Sequence, residues 1–372
     1  MSIHRVRCVI DPMITPKDTG RRRFLHYHTS IARDYVHLLP YAFKRFSVLR
    51  AFKTILPTMQ YYCTRTPLPA SDKPALFTMN ILSPMMTVWY HLARKYLGDS
   101  VDIVIFESSG ELERAECPGA RVHKFLNFYA ATKSEEFLRS IACFRKIGWL
   151  CDDDMFFVGP GAVERVEKEL TVPRTASVSF RPRTWWEFSI AGRSYPPSSS
   201  YCIAYNREIL IDRENLSLAP ADGNNHRPLI GKVVKRYDTC DKANEILLQK
   251  GYRCAIIEEE ERERYVTGFS GMSGAVMLLN YFRNPQETLG YFLSPPQTAW
   301  KGGMLPGALS GMLAICTIAD LYAKLRGKRY PLPSLPERGE LERIRDRFRP
   351  LLWTMEPFER VERVSERLRA AL

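Results

Sequence analysis

The chain has 372 residues, 45% hydrophobic and 26% charged, with a formal net charge of +13. This balance excludes a disordered or fibrous chain and leaves a globular protein able to bury a sizeable core. Nine cysteines, an odd number with no Cys-x-x-Cys pair or zinc-like spacing, exclude a disulfide framework and point to reduced thiols.

The opening residues "MSIHRVRCVIDPM" lack the apolar core of a signal peptide, so a cytoplasmic location is expected. Within 21–56, Phe43, Phe46, Leu49 and Leu56 recur at near-helical spacing, with Lys44, Arg45, Arg50 and Lys53 on the same turns. Such a basic amphipathic helix either packs on a core or lies peripherally on an anionic membrane surface, here the inner face. No helix-turn-helix, zinc-finger or RNP-type signature supplies base readout, so nucleic acid is not an expected partner. Residues 1–70 are read as a basic, aromatic helical segment.

"TRTPLPASDKP" (64–74) reads as a linker and "ALFTMNIL" as a buried strand. "SPMMTVWYHLARKYLG" predicts a helix with a Ser cap, a proline at its first position and a stop at Gly98. "VDIVIFESSG" (101–110) is a second strand, so strand, helix and strand form a βαβ unit of a parallel sheet. A capped helix in "TKSEEFLRSIACFRK" (132–146) then feeds "IGWLCDDDMFFVGP". Asp152, Asp153 and Asp154 therefore fall at the C-terminal edge of a strand, where open α/β sheets place ligands. Capping the helix of "GPGAVERVEKEL" (159–170) needs one aspartate, not three. Two carboxylates one residue apart can instead share a divalent cation with diphosphate oxygens.

"SFRPRTWWEFSIAGRSYPPSSSY" (179–201) reads as a long loop over the sheet edge. Trp185 and Trp186 would stack on a sugar or plug the loop onto the core, Arg181, Arg183 and Arg193 would hold phosphate, and Glu187 is a candidate base. "YDTCDKANEILLQKGYRCAII" (237–257) predicts a helix begun by Asp238, with Asp241 beside it and a close at Gly251. From Gly302 to Ala319 no charge appears for 18 residues, just the length of a membrane span, but four glycines and a proline favour a buried helix. After the Pro-rich "YPLPSLPERG" (330–339) the chain ends in "ERVERVSERLRAAL", a surface helix with Glu359 and Arg363 paired at i,i+4.

The order and spacing of these segments resemble the nucleotide-sugar domain of GT-A-fold glycosyltransferases. The first part is "ALFTMNILSPMMTVWYHLARKYLGDSVDIVIFESSG" and the second "FRKIGWLCDDDMFFVGPGAVERV", with Asp152 and Asp154 as the outer aspartates of a D-x-D motif. The resemblance spans residues 73–275. It implies an α/β fold, a GT-A-like mostly parallel sheet flanked by helices, over 71–285, with additional helical segments at 1–70 and 286–372. It implies an enzyme moving a sugar from a nucleotide-sugar donor to a hydroxyl of a glycan or lipid-linked acceptor, with inversion weakly favoured. The metal would be Mn2+ or Mg2+ on Asp152 and Asp154. Asn80, Glu107, Asp152 and Asp153 would meet the nucleotide-sugar, Arg181, Arg183, Trp185 and Trp186 the acceptor, and Asp238, Asp241 or Glu187 would serve as base. Where the family often carries a late histidine ligand, "RYVTGFSGMSG" (264–274) has Tyr265, which leaves His226 as the candidate third ligand. A nucleotidyltransferase stays open, although "NILSPMMT" lacks the Gly- and Lys/Arg-rich loop it would need, as does a non-catalytic basic membrane adaptor.

Overall fold

The computed structural model describes residues 48–125, 130–183, 187–219, 225–226, 234–235, 237–293, 299–349 and 355–372. Phe43, Phe46, Trp185 and Trp186 lie outside these described residues.

Helix α1 (Val48–Thr64) precedes the first βαβ unit, which is β1 (Ala75–Asn80), α2 (Ser83–Leu97) and β2 (Asp102–Glu107). Strand β3 (Arg121–Lys124) and helix α3 (Ala130–Glu136) lead into β4 (Ile147–Cys151), the strand that ends at the three aspartates. Next come β5 (Met155–Phe157), α4 (Ala162–Leu170), β6 (Thr175–Ser179), a hairpin of β7 (Phe188–Ile190) and β8 (Arg193–Tyr195), and β9 (Cys202–Asn206). The short pair β10 (Asn225–His226) and β11 (Val234–Lys235) is followed by α5 (Asp241–Gln249), β12 (Arg253–Ile256), α6 (Glu259–Arg262) and β13 (Val266–Gly268). Helices α7 (Met272–Tyr281), α8 (Pro285–Leu293), α9 (Ala299–Arg326), α10 (Arg338–Phe348) and α11 (Glu356–Ala371) complete the chain.

Seven strands form one sheet in the order β12-β6-β9-β4-β1-β2-β3. Its neighbours pair in parallel except β9, which runs antiparallel to both β4 and β6. The fold is thus the α/β, mostly parallel sheet flanked by helices expected from the sequence. Because side chains alternate across a strand, Leu76 and Trp149 enter one core layer and their neighbours Phe77 and Leu150 the other. The first layer is covered by α2, α7, α9 and α11, so the C-terminal helices share a core with the sheet; the second is covered by α1, α5 and the turn after α3.

Helix α9 contains the charge-free run. It is long and apolar enough to cross a membrane, yet the apolar stretch after Leu305 is mostly buried in the protein. A Cβ added at its Gly311 would sit 2.5 Å from the Ala275 methyl, so the small residue lets α9 and α7 approach closely.

Local departures from expectation have local causes. Ser83 does not cap α2: Leu82 is the N-cap residue, and the Ser83 hydroxyl bonds that of Ser109 at 2.9 Å. The helix expected to reach 146 ends at Glu136 and continues as a π-helical turn over Phe137–Ile141. The 179–201 segment is not all loop but carries the β7–β8 hairpin.

Candidate active site

The parallel strands β1, β2, β4 and β6 end on one edge, which collects Asn80, Glu107, Asp152 to Asp154 and Arg181. Two of the expected donor contacts are consumed there in shaping the edge. Glu107 is fully buried; its Oε2 accepts from Asn80 Nδ2 at 2.9 Å and Leu112 N at 3.1 Å, and its Oε1 from Ser109 Oγ at 2.6 Å and Gly110 N at 2.8 Å. Asn80, also fully buried, uses Oδ1 to hold Leu82 N at 3.0 Å. These two side chains fix the β1–α2 and β2 loops instead of facing the cleft.

The three aspartates diverge. Asp152 is half-buried, and its backbone N–H donates to Tyr201 O at 2.8 Å. Asp153 is buried and accepts from Ile81 N at 3.1 Å. Asp154 is buried; its Oδ2 accepts from Met272 N at 3.3 Å, while its Oδ1 is buried with no hydrogen-bond partner. Gly268 makes that placement possible, since a Cβ there would lie 2.8 Å from Asp154 O. Among the described residues no lysine or arginine forms an ion pair with any of the three. Desolvation first, and then repulsion from the neighbouring carboxylates, push the Asp152 and Asp153 carboxyls well above the ordinary range. Desolvation also raises Asp154, against the Met272 N–H and the Arg181 charge.

An orphaned buried carboxylate oxygen amid mutually repelling acids fits a divalent cation, which would cancel both penalties at once. The described residues hold no set of three or more His, Cys, Asp or Glu side chains placed as metal ligands. A magnesium-like ion needs only one or two carboxylates when phosphate oxygens and water complete its shell. His226, the expected third ligand, lies on β10 with Val234 opposite it.

The second acidic group is built differently. Arg183 is buried and donates from Nε to Asp241 Oδ1 at 2.8 Å and from Nη1 to Asp238 Oδ2 at 3.1 Å. Asp241 is fully buried, and its other oxygen accepts from Asp238 N at 2.7 Å. Asp241 therefore closes the turn and is no base, and Arg183 is an internal counter-ion with no fork free for an acceptor phosphate. The helix begins at Asp241, three residues after the expected Asp238. Cys240, in the left-handed region at φ 70°, makes the tight bend between them. Asp238 keeps 41% of its side chain exposed, and its charge is felt at Asp152. Glu187 is exposed on the hairpin, where the Ser194 hydroxyl bonds it.

Two clefts are lined by residues that contact the aspartates. One, of about 360 Å³, lies between the ends of β1 and β2, α7 and the 330–335 segment, lined by Ser83, Ser108, Ser109, Ser273, Asn280 and Tyr330. It joins the cluster through Ile81, whose N–H holds Asp153. The serines are short side chains with no pattern of their own in sequence, and the Pro-rich run looked like a linker, so neither signalled a cleft. The other cleft, of about 240 Å³, lies beneath α11 and is floored by Met155, Thr267 and Gly268.

No family model matches the chain. No curated protein matches it either. Among solved structures, a mannosyltransferase from Pyrobaculum calidifontis in complex with GDP-Man and Mn2+ is similar at 14% identity and a TM-score of 0.36, over 90% of this chain and 97% of that one. A 4-diphosphocytidyl-2C-methyl-D-erythritol synthase from Anaerococcus prevotii aligns at 8% identity and 0.30, over 51% and 91%. TarS of S. aureus aligns at 10% and 0.30, over 78% and 55%. At these scores none of the three assigns a role to a residue of this chain.

Proposed function

We propose that the protein is a glycosyltransferase that moves a sugar from a nucleoside-diphosphate donor to a hydroxyl acceptor. The observation that carries this reading is the desolvated aspartate triplet at the sheet edge, with one buried oxygen unpartnered and no basic side chain paired to it among the described residues. Asp152 and Asp154 would hold a Mn2+ or Mg2+ ion, which when bound offsets negative charge on the departing diphosphate. Asp153, tied to Ile81, sets the loop against which the donor lies. The serine-lined cleft offers hydroxyl groups to a nucleoside, as a concave site with a few convergent polar groups does.

Asp238 is the candidate base. Its exposed carboxylate would take the proton of the acceptor hydroxyl as that oxygen bonds the anomeric carbon and the carbon–diphosphate bond breaks. Arg183 and the turn closed by Asp241 hold it in place.

A thermal-shift screen of UDP- and GDP-sugars with and without Mn2+ tests this, because a ligand confined to the native state raises Tm. A shift that needs both nucleotide and cation is expected. No shift with any nucleotide-sugar in Mn2+ would overturn the reading.

A further inference from the structure

The cleft beneath α11 has a character that donor binding does not explain. Phe358, Val361, Val364, Leu368 and Ala371 of α11 are buried, recurring at helical spacing, which fixes the rotation of the helix. That rotation sets Arg360, Arg363 and Arg367 along one edge, across the cleft from Arg181 and Arg262. Five guanidinium groups thus line about 240 Å³, with three carboxylates, those of Glu259, Glu263 and Glu356.

The carboxylates are not shared out evenly. Glu259 takes Arg262 at 2.9 Å and Glu356 takes Arg360 at 2.6 Å, whereas Arg367 donates to the backbone carbonyls of Glu263 and Val266. Arg363 was expected to pair with Glu359 as on a solvated helix; that pair does not form, and among the described residues Arg363 has no carboxylate partner. Arg181 also lacks one and lies over the Tyr201 ring at 5.1 Å. Burial, and after it the Arg181 charge, lower the Arg262 and Arg360 pKa values against the pull of their glutamates; Arg367 is lowered by burial and by Arg363. Clustered, partly desolvated arginines with unused donors are what an oxyanion with several acceptor oxygens relieves, since guanidinium forks match phosphate geometry. The volume is below the 300–1,000 Å³ or so that drug-sized ligands occupy, which suits a phosphate or diphosphate group better than a nucleoside.

We propose that this arginine cleft receives a phosphate or diphosphate group carried by the acceptor, so that the sugar is transferred to a phosphorylated molecule. The inference rests on the reading of Asp152–Asp154 as the donor site, and the cleft adjoins that site, because its floor residue Gly268 packs on Asp154. The cleft and the serine-lined one are built from different elements, α6, β13 and α11 in one case and the ends of β1 and β2 with α7 in the other.

The test uses the full chain with inorganic pyrophosphate in EDTA, read by calorimetry at fixed ionic strength, so that no divalent ion contributes. Saturable binding by the wild type, weakened 10-fold or more in Arg262→Gln/Arg363→Gln with an unchanged Tm, supports the proposal. Wild type that does not bind pyrophosphate, or a double variant that binds it equally well, overturns it. A parallel titration with UDP and GDP in Mn2+ separates the two sources of diphosphate. Unchanged nucleotide affinity in the double variant assigns the arginines to the acceptor; a matching loss assigns them to the donor and overturns the proposal. Failure of the donor reading shows separately, as absence of Mn2+-dependent nucleotide binding by the wild type, and leaves the metal-free pyrophosphate result intact.

Discussion

Two aspartate groups lie near the same sheet edge and carry comparable formal charge, yet they solve the electrostatic problem in opposite ways. Asp238 and Asp241 share the Arg183 guanidinium, and the second oxygens of both accept backbone N–H groups, so each of the four carboxylate oxygens has a donor. Asp152, Asp153 and Asp154 have backbone donors to two of the three side chains, no ion pair among the described residues, and one buried oxygen with no partner at all. A run of acids is therefore not itself the signal; the missing ion pair is. A finished network is scaffold, and the unfinished one is what the proposed cation would complete.

The sharpest way to break the comparison is to neutralise one member of each group. Asp154→Asn is expected to remove Mn2+-dependent stabilisation by the nucleotide-sugar, worth about 2.7 kcal/mol at 100-fold excess over Kd, and transfer with it. The metal-free protein should be no less stable than wild type, because an unpaired buried charge has gone. Thermal shift with and without Mn2+ reads both; a retained cation-dependent shift removes the triplet from the donor site.

Asp238→Asn should leave donor affinity near normal and lower the transfer rate by about 10²–10⁴-fold, the range of a general base. Wild-type turnover in this variant would return Asp238 to the scaffold.

Arg183→Met is expected to cost about 3–5 kcal/mol, the penalty of leaving buried Asp241 uncompensated, and Asp241→Leu added to it should restore most of that loss. Urea unfolding of the single and double variants measures the coupling; additive losses would mean the pair is not the closed unit described.

The paired group also has a pH dependence, spread over about two pH units. Burial, opposed by Arg183, pushes Asp241 up to about 6. The unfolded value is about 3.9, so between these pH values the native state binds the extra proton. Stability from this group is therefore greatest on the acid side and falls as pH rises from about 4 through 6, by about 3 kcal/mol, then levels off. Comparing wild type with Asp241→Asn across pH 4 to 7 isolates the slope, and parallel curves would show that Asp241 does not titrate there.

Much was legible in the sequence because much is local. The apolar runs at 75–80, 102–107 and 147–151 are strands, the 3.6-residue periodicity of 83–97 is a helix stopped by Gly98, and from their order the aspartates had to fall at the C-terminal edge of a parallel strand. The α/β class and the position of the acidic triplet could be read from the chain alone, since backbone propensity, capping and side-chain period act over a few residues. The rest depends on contacts between segments far apart in the chain. The antiparallel β9 inserted between β4 and β6 is a pairing between distant segments, and so is the meeting of Arg183 with Asp238 and Asp241 across more than fifty residues. Glu107 and Asn80, placed correctly at strand ends, turned out to be bonded to each other, because which atom a buried carboxylate meets depends on neighbours in space. The same reason places Arg360, Arg363 and Arg367 opposite Arg181. Nothing in "ERVERVSERLRAAL" tells which neighbour its arginines will face until the apolar stripe of α11 has docked and set the rotation of the helix.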